Sequence, residues 1–336
     1  MKRIGLLGAG AVARYAHLPA VVATPGLTLT AILEPDAAAH DALHRQYPTA
    51  NVFADSEGFF RSGIDAVTIT SPAPAHVQNV LDAARHRKPI LCEKPLAMDE
   101  AEIERMIAAT RAAGVPLFTA FCYRFSPASL LIKKWVDEKA IGELRDLRLI
   151  YIWDVHGRFE TLPDGTRIPQ RRRTGRMLEG GPMVDCGTHQ IDLALFWTGR
   201  EVVRQRAEGV WVEDFAAPDH MYLHLDHAGG IHTLVEISYS LAATAKEPCN
   251  EFTYHLIGTE GLIRYERHSG VFELRTPERT ERHECYHEKN FEEMYRQFAG
   301  FLHTGDSGAL PSAEDGLVVT RIARTATEQA MRDRQR

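Results

Sequence analysis

The chain has 336 residues, a length that favours two domains over one compact core. With 44% hydrophobic and 25% charged residues and a formal net charge of −6, the composition is that of a globular protein without a dominant nucleic-acid surface. The five scattered cysteines, with no Cys-x-x-Cys pair, exclude a disulfide framework and a cysteine zinc site, and no apolar run approaches the roughly 20 residues of a membrane span. We expect a cytoplasmic protein with no membrane or nucleic-acid partner.

Residues 4–7 form a short apolar run that predicts a first strand rather than the apolar core of a signal peptide. A Gly-x-Gly-x-x-Ala turn follows and leads into a predicted helix. In dinucleotide-binding folds, the first glycine permits the tight turn and the second lets a pyrophosphate approach the backbone and the helix N-terminus. The candidate cofactor-binding residues here are Gly8, Gly10, Ala11 and Val12.

A second strand is predicted at Leu27–Leu33, and Glu34 follows it. An acid about 20 residues beyond the glycine turn binds the adenosine ribose hydroxyls in many such folds. Glu34 therefore favours NAD over NADP, because a carboxylate would repel a 2′-phosphate and no arginine follows directly. The alternative interpretation is a solvated acid at a strand end.

Strands and helices continue to alternate up to residue 121. Residues 65–70, 89–91 and 116–121 read as buried strands, residues 76–87 as a helix, and Asp99 as the start of a helix that Gly114 ends. This alternation predicts a doubly wound parallel sheet over residues 1–121, of the Rossmann type. Ser71 and Pro72 end one strand and are further candidates for cofactor contact.

Glu93-Lys94-Pro95 stands where the strand at 89–91 ends. In open α/β sheets, ligands bind at the carboxyl ends of the strands, so this pair of charges points at the cofactor site. The Lys94–Pro95 bond is a candidate cis peptide. The alternative is an ordinary surface ion pair.

Residues 122–336 have a different character. Ser126-Pro127 opens a helix, and seven long β-rich segments follow between residues 144 and 274. They predict an α+β domain with a large, mostly antiparallel open sheet, covered on one face by the helix after Gly187 and by helices at 291–303 and 312–331. Residues 163–175 are predicted to form a loop. The basic run at its end is interpreted either as a solvated or subunit-contact segment or as an anion-recognition lid, and it consists of Arg171, Arg172, Arg173 and Arg176.

A second cluster of candidate residues follows Glu179-Gly180-Gly181-Pro182. A helix that begins near Asp185 would place Asp185, His189 and Asp192 on one face. An imidazole beside carboxylates suits general acid–base catalysis. A packing histidine or, with Asp185, a metal pair are the alternatives, and the glycines would let a ligand approach the backbone.

The three motifs in this order resemble the glucose-fructose oxidoreductase, inositol dehydrogenase and rhizopine catabolism (Gfo/Idh/MocA) family. The resemblance covers nearly the whole chain. It also takes in Ser71-Pro72-x-x-x-His76, Tyr123-Arg124-Phe125-Ser126-Pro127 and Ala313-Glu314-Asp315-Gly316. Glu34 in place of the commoner Asp, Ala73 and Cys122 in place of Asn, and Pro182 within a glycine run depart from the family pattern.

The resemblance implies a Rossmann domain, an open-sheet domain, and homodimers or homotetramers formed through that sheet. It further implies that Lys94 orients the reacting oxygen and that His189 accepts the proton, with Asp185 completing the catalytic set. Cofactor contacts would extend to His76, Glu93, Lys94 and Arg124, and substrate contacts would come from Lys94, Tyr123, His156, Asp185 and His189.

The expected activity is NAD-dependent oxidation of a secondary hydroxyl in a sugar, a cyclitol or a related polyol, in which the cofactor takes the hydride. No metal is expected, and His224 lies four positions after His220, which is too far along a strand for the two to share one ion. Two alternatives stay open: a glycosidase of the same family that oxidises a ring carbon transiently, and a non-catalytic regulator that senses a dinucleotide.

Overall fold

A computed structural model describes residues 1–154, 157–240, 247 and 249–334. His156, a predicted substrate residue, lies outside the described residues. The chain divides into two compact units: Met1–Phe125 with Lys289–Val318, and Ser126–Glu288 with Val319–Arg336. The division expected from the sequence, at 1–121 and 122–336, differs from this one at residues 122–125 and 289–318, which both belong to the first unit.

The first unit is built on a six-stranded sheet, which confirms the predicted Rossmann fold. All neighbouring strands are parallel, in the order β3-β2-β1-β4-β5-β6. Along the chain, successive strands are added on one side of β1 (β2, β3) and on the opposite side of β4 (β5, β6). The carboxyl ends of β1 and β4 therefore form the topological switch point where such sheets bind ligands. The strands are β1 Lys2–Leu7, β2 Leu27–Leu33, β3 Asn51–Phe53, β4 Ala66–Ile69, β5 Ile90–Cys92 and β6 Leu117–Thr119.

Helices cover both faces of this sheet, and apolar side chains of the strands and helices form its core. The first helical segment is irregular: a π-helical turn, Ala13–His17, precedes α1. Asp99 caps α5 by accepting the backbone N–H of Glu102 (2.8 Å), as the sequence predicted. The helices of this unit are α1 Leu18–Ala23, α2 His40–Gln46, α3 Ser56–Arg61, α4 Ala73–Arg85, α5 Glu100–Ala113 and α10 Phe291–Thr304, with the first residues of α11 Ala313–Arg334.

The second unit contains an eight-stranded sheet in the order β10-β11-β12-β7-β13-β14-β15-β16. Only β12 and β7 are parallel neighbours, so the predicted mostly antiparallel sheet is confirmed. The strands are β7 Leu144–Ile152, β10 Val202–Val210, β11 His220–His227, β12 Ile231–Ser238, β13 Glu251–Gly258, β14 Leu262–Glu266, β15 Val271–Arg275 and β16 Thr280–Arg282.

One face of this sheet is apolar and is covered by helices. Helix α9, in which nine of the 12 residues are buried, packs on β7 and β12. Trp197 connects it to α6 by donating its indole N–H to the backbone oxygen of Ser129 (3.1 Å). Ser126 caps α6 as predicted. The helices of this unit are α6 Pro127–Asp137, α7 Arg171–Leu178, α8 Gly181–Asp185, α9 Gly187–Thr198 and the remainder of α11.

The predicted loop at residues 163–175 is wrong in part. A small hairpin, β8 Phe159–Thr161 with β9 Arg167–Pro169, and helix α7 occupy this region. Gln170 caps α7 by accepting the backbone N–H groups of Arg172 and Arg173 (2.6 and 3.1 Å). Within the described part of the chain, no helix has both the length and the apolar character of a bilayer span.

Candidate active site

The glycine turn lies at the switch point of the Rossmann sheet. Gly8 has φ +89°, and a Cβ there would lie 2.6 Å from the Cα of Ser71, which follows β4. At Gly10 a Cβ would meet no atom within 4 Å, so its backbone faces open space. The Arg14 N–H bonds to the carbonyl of Gly10 (3.1 Å) and closes the first helical turn, which begins at Ala11 and Val12. This cradle fits a dinucleotide pyrophosphate, whose approach needs a bare backbone and helix N–H groups.

Glu34 stands beside this turn. Its Oε2 accepts the backbone N–H of Ala9 (2.8 Å), and its Oε1 accepts that of Asp36 (3.0 Å). Each carboxylate oxygen keeps a further lone pair for a ribose hydroxyl. Arg14 donates its Nε–H to the backbone oxygen of Ala9 (2.7 Å). The sequence analysis did not predict that the Arg14 guanidinium lies at the glycine turn, because it considered only basic residues that directly follow β2.

Exchanging the charge next to the ribose is expected to reverse the cofactor preference. Glu34→Ala with Pro35→Arg removes a carboxylate and adds a cation on the exposed Pro35 position. A carboxylate facing a 2′-phosphate costs several kcal/mol, so the ratio of the dissociation constants for NADH and NADPH should shift toward NADPH by about 100-fold. Fluorescence titration with both dinucleotides measures this ratio. Pro35→Arg alone is the control, and an unchanged ratio in the double variant would show that the ribose acid lies elsewhere.

Glu93 and Lys94 follow β5 at the same carboxyl edge of the sheet. The Lys94–Pro95 peptide is cis, as predicted. The backbone N–H of Glu93 donates to the carbonyl of Ile69 (2.9 Å), and its side chain is buried. One carboxylate oxygen contacts Nε2 of His17 (2.7 Å), and the other accepts the backbone N–H of Lys94 (3.1 Å).

The structure places His76 beneath this loop. The ring is buried; Nδ1 lies 2.9 Å from the carbonyl oxygen of Pro95, and Nε2 lies 2.8 Å from that of Ser71. Burial lowers the pKa of His76 below its ordinary value. Its two ring nitrogens face backbone oxygens of the Lys94-Pro95 loop and of the end of β4, and a cofactor contact of His76 stays a prediction. Pro72 is the N-cap residue of the following helix, α4.

Tyr123 and Arg124 lie in a 3-10 turn, Cys122–Phe125, just after β6. Both side chains are buried. Arg124 forms an ion pair with Asp315 near the start of α11 (3.5 Å). Asp315 belongs to the Ala-Glu-Asp-Gly segment of the sequence resemblance, so the structure gives that distant motif a partner within the first unit.

In the second unit, Asp185 ends α8 and its carboxylate is held from two sides. The Tyr239 hydroxyl donates to Oδ2 (2.6 Å), and the Arg176 Nε lies 3.5 Å from the same atom. The charge of Asp185 raises the pKa of Arg176, and burial together with Asp185 raises the pKa of Tyr239 well above its ordinary value. Both neighbours therefore favour an ionised Asp185 carboxylate.

His189 lies one turn beyond Asp185, and Asp192 follows, but the helix differs from the predicted one. Instead of one helix that begins near Asp185, α8 ends there and α9 begins at Gly187 after a break at Cys186. The backbone N–H of His189 donates to the carbonyl of Cys186 (3.1 Å). The side chains of Asp185, His189 and Asp192 are all buried.

Gly180 and Gly181, at the start of α8, allow a backbone conformation and close packing that other residues would not. Gly180 and Gly181 have φ of +125° and +74°, which L side chains rarely adopt. A Cβ on Gly181 would lie 2.9 Å from the carbonyl oxygen of Pro218, and one on Gly180 would lie 2.8 Å from the Val184 side chain. Packing within the second unit therefore requires glycine at both positions, and the approach of a ligand to this backbone stays a prediction.

The predicted basic loop is a helix with two of its arginines in internal roles. Arg173 is 1% exposed and donates to the Tyr239 carbonyl (2.7 Å) and the Glu213 carboxylate (2.7 Å). Arg176 pairs with Glu179 (2.8 Å) as well as with Asp185. Neither is a solvated loop residue, and Arg176 is a neighbour of the candidate catalytic set that sequence reasoning did not assign to it.

The histidines of β11 and β12 lie apart from these clusters. His224 contacts His232 on the neighbouring strand (3.3 Å between ring nitrogens), and His232 contacts Asp226 (2.8 Å). Burial lowers the pKa of His220 to about 4. Among the described residues, no group of three or more His, Cys, Asp or Glu side chains could hold a metal ion.

Comparison with known protein families shows to which family this chain belongs. Residues 2–121 match the Gfo/Idh/MocA "Oxidoreductase family, NAD-binding Rossmann fold", and residues 130–264 match the "GFO/IDH/MocA C-terminal domain". The chain belongs to the Gfo/Idh/MocA family. The first unit is therefore the NAD-binding domain of a Gfo/Idh/MocA oxidoreductase, as the glycine turn and Glu34 predicted.

Individual relatives agree with this membership. Inositol 2-dehydrogenase from Rhizobium meliloti is 26% identical over 99% of this chain and 98% of its own. Trans-1,2-dihydrobenzene-1,2-diol dehydrogenase from Danio rerio is 31% identical over 61% of this chain, and the match spans 56% of that relative. Among solved structures of this fold, levoglucosan dehydrogenase in complex with NADH and levoglucosan has a TM-score of 0.83 at 24% identity, covering 99% of this chain and 98% of its own.

Proposed function

We propose that this Gfo/Idh/MocA protein is an NAD-dependent oxidoreductase that transfers a hydride between nicotinamide and a secondary hydroxyl or ketone of a sugar, a cyclitol or a related polyol. The observation that carries the proposal is the fixed position of the Glu93-Lys94 pair at the carboxyl edge of the cofactor-binding sheet, bonded through Glu93 to both His17 and the Lys94 amide. Relatives named for inositol and levoglucosan support the substrate class.

Oxidation of a carbinol removes a hydride from the carbon and a proton from the hydroxyl. Negative charge develops on the oxygen as the proton leaves. When bound, NAD supplies the hydride acceptor. The Lys94 ammonium stabilises the developing alkoxide and orients its oxygen, since a cation placed where negative charge develops lowers the barrier. His189 takes the hydroxyl proton, a role that a neutral imidazole can fill near neutral pH.

Asp185 has a different part in this scheme. Held ionised by Arg176 and Tyr239, it is a hydrogen-bond acceptor only. We propose that the Asp185 carboxylate accepts a hydrogen bond from a substrate hydroxyl. A carboxylate acceptor also disfavours an anionic group at that position and favours neutral polyols.

The uncovered face of the second sheet supports an oligomeric enzyme. Val210, Ile257 and Leu262 share that face, and each is more than a third exposed. Burying this surface against a second copy would remove apolar area from water. We propose a homodimer or homotetramer through this sheet, which light scattering of the purified protein tests.

The activity is tested by NADH absorbance. Purified protein with NAD+ is assayed against a panel of inositols, aldoses and sugar acids. Formation of NADH with at least one polyol supports the proposal. If no member of the panel changes the absorbance in either direction, the assignment as a polyol dehydrogenase is wrong.

A further inference from the structure

A histidine in the first helix lies beneath the lysine loop and has no part in the mechanism above. His17 is the last residue of the π-helical turn that follows the glycine turn, and its side chain is completely buried. Its Nε2 lies 2.7 Å from a carboxylate oxygen of Glu93, and its Nδ1 lies 2.8 Å from the hydroxyl of Tyr295 in α10. The ring also packs edge-on against Phe291.

The Tyr295 hydroxyl anchors the far side of the ring. Burial raises the pKa of Tyr295, so the phenol keeps its hydrogen. Its oxygen lies within hydrogen-bond distance of both Nδ1 of His17 (2.8 Å) and the Thr68 hydroxyl (3.2 Å). These contacts orient the imidazole ring with Nε2 directed at Glu93.

The contact on the other side of the ring is with a carboxylate. Burial alone would raise the pKa of Glu93, but the hydrogen bond from His17 and the charge of Lys94 hold it below its ordinary value. Glu93 is therefore a carboxylate that accepts a hydrogen bond from Nε2 of His17 (2.7 Å). A hydrogen bond to a buried carboxylate is stronger than one between neutral groups.

We propose that His17 is a positioning residue for the reaction: its Nε2–H fixes the Glu93 carboxylate, whose second oxygen holds the backbone amide of Lys94. This inference rests on the proposed function of Lys94. It connects the helix that begins at the cofactor's glycine turn to the lysine loop through two charged hydrogen bonds, each stronger than a neutral one.

The proposal also explains the π-helical turn. A π turn adds a residue to a helical turn and re-aims the side chains around it, and such turns often occur at functional sites. In this unit the turn ends at His17, where the ring meets Glu93 on one side and Tyr295 on the other. Tyr295 is 278 residues away in sequence, so the return of α10 to the first unit completes the cluster.

A double-mutant cycle on kcat tests whether His17 acts through Glu93. The variants are His17→Leu, Glu93→Gln and the two combined, with the polyol that the wild-type protein oxidises. His17→Leu should lower kcat by about 100-fold, since a misplaced catalytic group costs that much, while the NADH dissociation constant stays within about 3-fold. In the Glu93→Gln background, His17→Leu should change kcat by less than about 3-fold, because the carboxylate that His17 holds is already absent. Losses that multiply, or an unchanged kcat in His17→Leu, would overturn the proposal.

Three further variants guard against a failure to fold. Tyr295→Phe keeps the aromatic ring and removes the hydroxyl that contacts Nδ1 of His17, so it should lower kcat by about 10-fold while the NADH dissociation constant stays within about 3-fold of the wild-type value. His17→Gln can still donate to Glu93 and should retain more activity than His17→Leu. His86→Gln, which replaces an exposed histidine stacked on Phe60, is the matched control and should keep the wild-type kcat. A wild-type kcat in Tyr295→Phe and equal loss in the two His17 variants would contradict the positioning role.

A Lys94→Ala arm separates this inference from the proposed function. If Lys94→Ala is inactive and His17→Leu has the wild-type kcat, only the role of His17 is wrong. If Lys94→Ala retains the wild-type kcat, the proposed function of the lysine is wrong, and the positioning role of His17 falls with it.

Discussion

Replacing Lys94 with alanine is expected to lower kcat/KM for the polyol by about 100- to 1,000-fold, the loss that follows removal of a group that stabilises a developing oxyanion. The dissociation constant for NADH should stay within about 3-fold of the wild-type value, because the glycine turn and Glu34, not the lysine side chain, form the pyrophosphate and ribose cradle. Steady-state kinetics and fluorescence titration measure the two quantities.

Lys88→Ala is the matched control for this variant. Lys88 lies six positions before Lys94 in the same unit and donates its Nζ to the backbone oxygen of Ile64 (2.7 Å). Its removal should leave kcat/KM unchanged. A Lys94→Ala protein that loses NADH binding and activity together would show that the lysine supports the fold of the cofactor site rather than the chemistry.

Replacing His189 with glutamine is expected to lower kcat by about 100- to 10,000-fold, the usual contribution of a positioned general base. The amide cannot accept and release the hydroxyl proton, although it fills a similar volume on the buried face of α9. Substrate binding should change less than kcat, because Asp185 still accepts a hydroxyl hydrogen bond. Measuring kcat and KM separately for the oxidation direction tests this split.

His227→Gln provides the comparison. His227 is also buried in the second unit, where its Nε2 contacts the Thr233 hydroxyl (2.9 Å), and it belongs to neither candidate cluster. We expect its kcat to match that of the wild-type protein. Equal losses in both histidine variants would mean that His189 matters for packing, and the base would then have to be another residue.

The local signals of the sequence were sufficient for the sheets. Alternation of apolar strands with helices gave the parallel Rossmann sheet, and β2 was predicted at its observed bounds, Leu27–Leu33. The caps at Asp99 and Ser126 were also correct, since a capping residue acts on backbone groups only a few positions away. The glycine turn and Glu34 predicted an NAD-binding domain for the same reason: their spacing is local.

The errors fall where distant contacts decide the structure. The arginine run before Leu178 was predicted to lie in a loop. Instead, the guanidinium of Arg173 is buried and donates to the Glu213 carboxylate and the Tyr239 carbonyl, both far along the chain. Gly181, at the start of α8, likewise packs against the carbonyl oxygen of Pro218, which is distant in the sequence. Neither partner could be read from local periodicity.

The same limit hid three residues around the candidate site. Arg176 and Tyr239 meet at Asp185, although 63 positions separate them in the sequence numbering and no motif links them. His17 has its partners Glu93 and Tyr295 in other elements of the first unit. A buried histidine inside the dinucleotide-binding helix was the one signal available, and its meaning depends on the acid that faces it.

Transfer of deuterium tests the central claim, that this protein moves a hydride from a secondary carbinol to NAD. Purified protein is incubated with NAD+ and with inositols, aldoses and sugar acids that carry deuterium on their carbinol carbons, and the dinucleotide is analysed by mass spectrometry. We expect NADH that has gained a deuterium from at least one of these polyols, and loss of that transfer in Lys94→Ala. Dinucleotide that stays unlabelled with every polyol would contradict it.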